Sequence, residues 1–265
     1  MTDTSRSGIR RRWRRALAVA AVPALMAGLA GCFGAPVPAA SGSSSPTGGS
    51  TPAASPASDV SEPEIAAIVE DAMADLHLKA AIVQVQVGDE TVSLQAFGES
   101  MTGVPATTDM HFRNGAVAFE YISNLLLQYV DDGTVSLDDT IDQWAPELPE
   151  SDKVTLLMLT NQTTGYPDFE TDPGWTAAYN ADPFHEFTYQ ERLDYAFSRP
   201  MEFAPGTNWS YAHTNFMILG EILSQIGGAP LADLLREKVL DPMGLSQTQS
   251  FDSATIPEPV LHAYS

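Results

Sequence analysis

Few side chains in this 265-residue chain stand at spacings that chemistry uses. Tyr211-Ala212-His213 holds a phenol and an imidazole two positions apart. An imidazole can hydrogen-bond an acyl amide or act as a base near neutral pH. The nucleophile that such groups would serve is harder to find. A Ser-x-x-Lys pair puts a hydroxyl and an amine on one helix face, where the amine takes the proton and the helix dipole favours developing negative charge. The chain has three lysines, Lys79, Lys153 and Lys238, and Leu76, Glu150 and Leu235 stand three residues before them, so no such pair exists. Nor is there a Gly-x-Ser-x-Gly elbow. Five histidines (His77, His111, His185, His213, His262) show no metal-ligand spacing, so neither a metal site nor another cofactor is expected.

Charge excludes other classes. Six of the 13 Lys+Arg fall in the first fifteen residues, and everything after Arg15 carries 7 basic against 33 acidic groups. A surface that negative repels phosphate backbones, so no nucleic-acid partner is expected. The basic stretch Arg10–Arg15 precedes an apolar run, Ala16–Gly28, too short for a helix to span a bilayer. The run ends in Leu29-Ala30-Gly31-Cys32, which resembles a bacterial lipobox. Residues 1–32 therefore read as a lipoprotein signal. Cys32, the only cysteine, is the expected lipidation site, which anchors the chain to the outer face of the cell membrane. Residues 33–60, rich in Ser, Pro, Gly and Ala, read as a flexible tether.

The elements that must position any site begin at Ser61. Ser61-Glu62-Pro63-Glu64 has capping-box spacing, and Ile65, Ile68, Val69, Ala72, Met73 and Leu76 then mark one face of a helix. Val83, Val85 and Val87 alternate with glutamines, Gly88-Asp89 reads as a turn, and Val92, Leu94 and Ala96 alternate again, which predicts an antiparallel hairpin. Asp132-Gly133 suits a left-handed helix stop, and Ser136 with Asp139 is expected to cap a short helix. Pro205-Gly206 occupies turn positions. Leu219, Ile222, Leu223 and Ile226 are expected to face a core. The acid-rich stretch Tyr166–Tyr195 reads as a solvated helical insert, with the wall of a ligand groove as the alternative.

Several blocks carry a resemblance: Phe112-Arg113-Asn114-Gly115 running into an apolar helix, Thr160-Asn161-Gln162-Thr163-Thr164-Gly165-Tyr166, Phe203-Ala204-Pro205-Gly206-Thr207, and Leu240-Asp241-Pro242-Met243-Gly244-Leu245. Together they resemble the serine β-lactamase and D-alanyl-D-alanine carboxypeptidase family, the branch that includes class C β-lactamases. The resemblance covers most of 61–265, read as one β-lactamase-related domain, and implies an α+β fold, β-lactamase/transpeptidase-like, with an antiparallel sheet flanked by a helical domain. The family's later sheet strands have no counterpart here, so the domain is expected to be incomplete, with C-terminal strands missing. An exposed hairpin edge would then invite pairing with another chain.

The resemblance also implies where the chemistry should sit. Aligning Phe112-Arg113-Asn114-Gly115 puts the family nucleophile at Ala116 and the family lysine at Phe119. Alanine has no nucleophilic atom, and phenylalanine can neither accept a proton nor carry charge. The family's Tyr-x-Asn falls on Tyr211 and His213, keeping the phenol and replacing the amide. The expectation is a catalytically inactive relative in the cell envelope, binding a peptidoglycan-derived peptide or an envelope partner. The alternative is an active hydrolase with a non-standard nucleophile.

Overall fold

The computed structural model describes residues 61–251 and 253–262. The leader, Cys32 and the tether lie outside the described residues. Ser61 opens helix α1 (Glu62–Leu76) with the reciprocal cap that its spacing predicts, its N–H donating to Glu64 Oε2 at 2.8 Å. The helix stops where His77 turns left-handed, at φ +56°.

Strands β1 (Ala80–Val87) and β2 (Glu90–Met101) form the expected hairpin around Gly88, and a short β3 (Val104–Pro105) completes an antiparallel sheet of order β1-β2-β3. Gln84 lies opposite Leu94 and Val85 opposite Ser93, whereas Gln86 lies opposite Thr91. Val92 is thus an extra residue on β2, and the bulge leaves β1 regular. Gly98 is required by a close approach: a Cβ there would lie 2.1 Å from the Lys79 carbonyl oxygen.

The helical part follows a 3-10 turn, Gly115–Val117. It comprises α2 (Ala118–Asp131), α3 (Leu156–Thr160), α4 (Pro173–Ala181), α5 (Tyr189–Ala196), α6 (His213–Gly227) and α7 (Leu231–Leu235). Helix α6 runs through the centre: Ile218, Leu219, Ile222 and Leu223 are fully buried, and Ile226 packs partly buried against the same cluster. Each such side chain contributes about 1.5–3 kcal/mol relative to exposure. The buried cluster is drawn from residues between Ile122 and Val239, so this core belongs to the helices and not to the sheet.

Two local expectations need correction. Ser136 and Asp139 do bond as a cap, Ser136 N–H donating to Asp139 Oδ2 at 2.8 Å, but they close a turn and no helix follows directly. Two acceptors nearby explain this, because the Asp139 and Leu137 carbonyls are taken by Leu156 and Leu157 N–H groups of α3. Nor is Tyr166–Tyr195 simply a solvated insert. It does contain α4 and α5, but Tyr166, Asp168, Phe169, Asp172 and Leu193 are buried. Asp172 is buried because it caps α4, accepting from Gly174 N–H at 2.7 Å and Trp175 N–H at 3.2 Å.

Candidate functional site

The start of α6 is held by a buried polar lock. Gln162, in a left-handed conformation at φ +66°, accepts from Ala212 N–H at 3.1 Å and from Asn215 Nδ2 at 2.5 Å through its Oε1. Thr164 Oγ1 donates to Asn215 Oδ1 at 2.7 Å, and Thr214 Oγ1 donates to the Pro167 carbonyl at the same distance. Thr214 Oγ1 in turn accepts from Phe169 N–H at 3.1 Å. Every polar atom in this set that faces inward has a partner, which makes the loop 162–169 and the helix one rigid piece. Gly165 allows that loop to pass under Phe203: its φ is +80°, and a Cβ would lie 2.1 Å from the Phe203 carbonyl oxygen.

That lock positions His213, the first residue of α6. Its Nδ1 lies 3.0 Å from Asp168 Oδ2 and 3.5 Å from Glu170 Oε2. With Nδ1–H donating to Asp168, Nε2 faces the Tyr211 hydroxyl, 3.5 Å away at the edge of hydrogen-bond reach. The hydrogen bond to Asp168 raises the His213 pKa above its ordinary value, partial burial opposes this, and the Asp168 and Glu170 charges add to the rise. The Tyr211 phenol is also pushed up, by partial desolvation and then by the same two carboxylates, so it stays protonated at neutral pH.

Phe119 meets this group from α2. Its ring stacks on Phe216 with centroids 3.9 Å apart and planes 4° from parallel, and it lies 6.0 Å from Tyr211 and 5.9 Å from His213. The structure therefore brings together three of the four residues singled out from the sequence. Ala116, the fourth, sits exposed in the 3-10 turn one turn ahead of α2. No lysine amine reaches them. Lys153 pairs with Glu150 at 2.7 Å, Lys238 lies over the Tyr129 ring at 5.7 Å, and Lys79 precedes β1. A groove of ≈ 920 Å³ opens beside the cluster, walled by Phe119, Phe169, Phe216 and His213, with Glu170 and Arg192 at its edge. Burial lowers the Arg192 pKa, although nearby Glu170 and Glu191 oppose the shift.

Asp168 and Gln162 are the residues that spacing does not reveal. Asp168 stands 45 positions from His213, and Gln162 lies 53 from Asn215. The only signal in the chain is a cluster of short polar residues between two apolar helices, which reads equally well as a loop.

A hairpin stands beside a helical body, with a cleft where the helix after Phe112-Arg113-Asn114-Gly115 meets Tyr211-Ala212-His213, an arrangement that agrees with the serine β-lactamase scaffold. The chain belongs to the Beta-lactamase family, whose model matches residues 65–265. It is similar to penicillin-binding protein 4 of Amycolatopsis lactamdurans, 32% identical over 166 residues, which cover 60% of this chain and 40% of that protein. It is likewise similar to the D-alanyl-D-alanine-carboxypeptidase/endopeptidase AmpH of Escherichia coli K12, 26% identical over 204 residues, 72% of this chain and 52% of that one. Among solved structures, D-amino acid amidase from Ochrobactrum anthropi SV3 superposes with a TM-score of 0.63 at 29% identity, covering 73% of this chain and 55% of that one. The chain spans between about a third and a half of the length of such curated relatives.

Proposed function

We propose that this chain is a serine hydrolase-family protein that has lost serine–lysine acyl transfer and keeps its cleft for binding. Cys32 anchors it by lipid to the outer face of a bacterial membrane, and the ligand is a peptidoglycan-derived peptide or an envelope protein. One observation carries the reading: Phe119, the position to which the resemblance assigns the family lysine, is a phenyl ring stacked on Phe216. Losing a catalytic serine alone removes on the order of 10⁶ in turnover, and losing its activator adds little. The aromatic groove, with Glu170 and Arg192 at its edge, suits a peptide with apolar side chains and charged ends.

A second reading has its own support. Asp168 fixes His213 as an orienting carboxylate fixes a catalytic imidazole, so His213 Nε2 is available as a base toward a non-standard nucleophile. Incubation with a fluorescent penicillin and a fluorophosphonate separates the two. The binding reading expects no covalent adduct at any residue, together with saturable calorimetric binding of a D-alanyl-D-alanine peptide that is recovered intact. An adduct mapped by mass spectrometry to a residue beside His213 would establish the second reading and overturn the first.

A further inference from the structure

Arg192 lines the groove from α5 and is half-buried, yet among the described residues no carboxylate pairs with its guanidinium. A cation taken partly out of water without a partner has given up hydration that nothing replaces. Two acids nearby are already committed. Glu191, its neighbour in sequence, accepts from the Thr188 N–H and hydroxyl, both at 2.8 Å, as part of the cap of α5. Asp168 takes the His213 Nδ1 proton at 3.0 Å. Glu170 is different. It lines the same groove, half-exposed, and its Oε2 stands 3.5 Å from a His213 nitrogen whose one proton already goes to Asp168. Its charge acts on Arg192, but the two form no ion pair. The groove thus carries a cation and an anion held apart, beside the rings of Phe119, Phe169 and Phe216. The 3-10 turn Phe169–Thr171 packs against both α5 and α6, so the separation is built into the helical body.

We infer that the groove recognises a short zwitterion with an apolar side chain, its free carboxylate meeting Arg192 and its free ammonium meeting Glu170. The inference rests on the cleft-binding reading above and narrows the ligand to this class. Charge complementarity decides between ligands. A neutral ligand would bury the guanidinium further and leave it unpaired, which costs more than it gains. An anion alone meets Arg192 but is repelled by Glu170, and a cation alone meets the reverse. A zwitterion satisfies both groups at once, while its apolar side chain lies against the phenyl rings. The guanidinium can take a carboxylate through two parallel hydrogen bonds, which fixes the direction in which the ligand lies. Each added residue lengthens a peptide by as much as about 3.3–3.6 Å, so a long peptide brings only one of its ends to this pair. A free amino acid and a dipeptide are the two sources of the required chemistry.

Calorimetry on the full chain tests this with free leucine and with leucyl-leucine, each in its L and D forms. Saturable binding is expected, and the tighter of the two ligands identifies the source. Blocking either end of that ligand, by N-acetylation or by C-amidation, should weaken it about 10-fold. Arg192→Gln should abolish only the preference for a free carboxylate, and Glu170→Gln only the preference for a free ammonium. Each variant should still bind the ligand blocked at the matching end as wild type does, which also shows that it is folded. Blocked ligands that bind wild type as tightly as free ones would overturn the inference. So would variants that keep both wild-type preferences. A D-alanyl-D-alanine peptide that binds where neither leucine ligand does would also overturn it, while leaving the cleft-binding reading in place. Should none of these ligands bind, both readings fall together.

Discussion

Asp168 accepts a hydrogen bond from His213 Nδ1 at 3.0 Å, and this one contact ties the loop before α4 to the first residue of α6. An imidazole in the first turn sits at the positive end of the helix dipole, which disfavours its charged form. The Asp168 hydrogen bond acts the other way and raises the His213 pKa, against partial burial, which lowers it.

The first prediction follows from that sign. A histidine whose folded pKa exceeds its unfolded value of about 6.5 adds stability that is fully present below the unfolded pKa. The added stability is lost as pH rises through the folded pKa. The wild-type chain should therefore lose, on passing from mildly acidic to mildly alkaline pH, a stability increment that Asp168→Asn lacks. Chemical denaturation of both proteins across that window checks it. A histidine NMR titration should show the His213 midpoint lower in the variant.

Phe119 supports the second prediction. Phe119→Ala removes a half-buried ring and its stacked partner contact with Phe216, at a cost of roughly 2 kcal/mol, below the 3–5 kcal/mol of a fully buried phenylalanine. Phe119→Leu keeps most of the volume and should cost about half as much. Thermal unfolding measures both. The pair also bears on function: if the ring only fills the old lysine space, both variants keep binding a D-alanyl-D-alanine peptide, with Phe119→Ala the weaker.

How much of this was legible in the sequence depends on the range of each interaction. The Ser61 cap, the Gly88 turn, Gly133 and Gly206 are set by residues within a few positions of each other, and the structure shows each as spacing predicts. The Phe119 and Tyr211 neighbourhood was legible only through resemblance, because 92 positions separate them and no local rule relates them. Asp168 was hidden among other acids. A carboxylate that caps its own turn, orients an imidazole or sits in solvent has the same local sequence. What distinguishes it is the register of α6 against loop 162–169, which the Gln162–Asn215 bond fixes from 53 positions away.

That bond is the third target. Asn215→Ala leaves Gln162 Oε1 and the Thr164 hydroxyl each short of a partner in a fully buried place. The expected cost is about 1–3 kcal/mol, more than the loss of a typical surface hydrogen bond. A double-mutant cycle with Thr164→Val should show the two losses to be non-additive, since both changes break one network. If the lock positions His213 as described, Asn215→Ala also shifts the His213 NMR midpoint although it touches neither Asp168 nor the imidazole.

The last prediction concerns the proposed anchor. If Cys32 carries a diacylglyceryl group, radiolabelled palmitate supplied to expressing cells should be incorporated into the wild-type chain and not into Cys32→Ser. Two or more acyl chains hold a protein stably, at about 0.8 kcal/mol for each buried methylene, whereas the apolar run Ala16–Gly28 is too short to span the bilayer. The wild-type chain should therefore stay with membranes through a high-salt wash that removes electrostatically bound proteins. Cys32→Ser should behave differently in a telling way: it either keeps the uncleaved leader or is released to the soluble fraction. A Cys32→Ser protein that is processed and retained like wild type would show that the membrane is held by something other than that thiol.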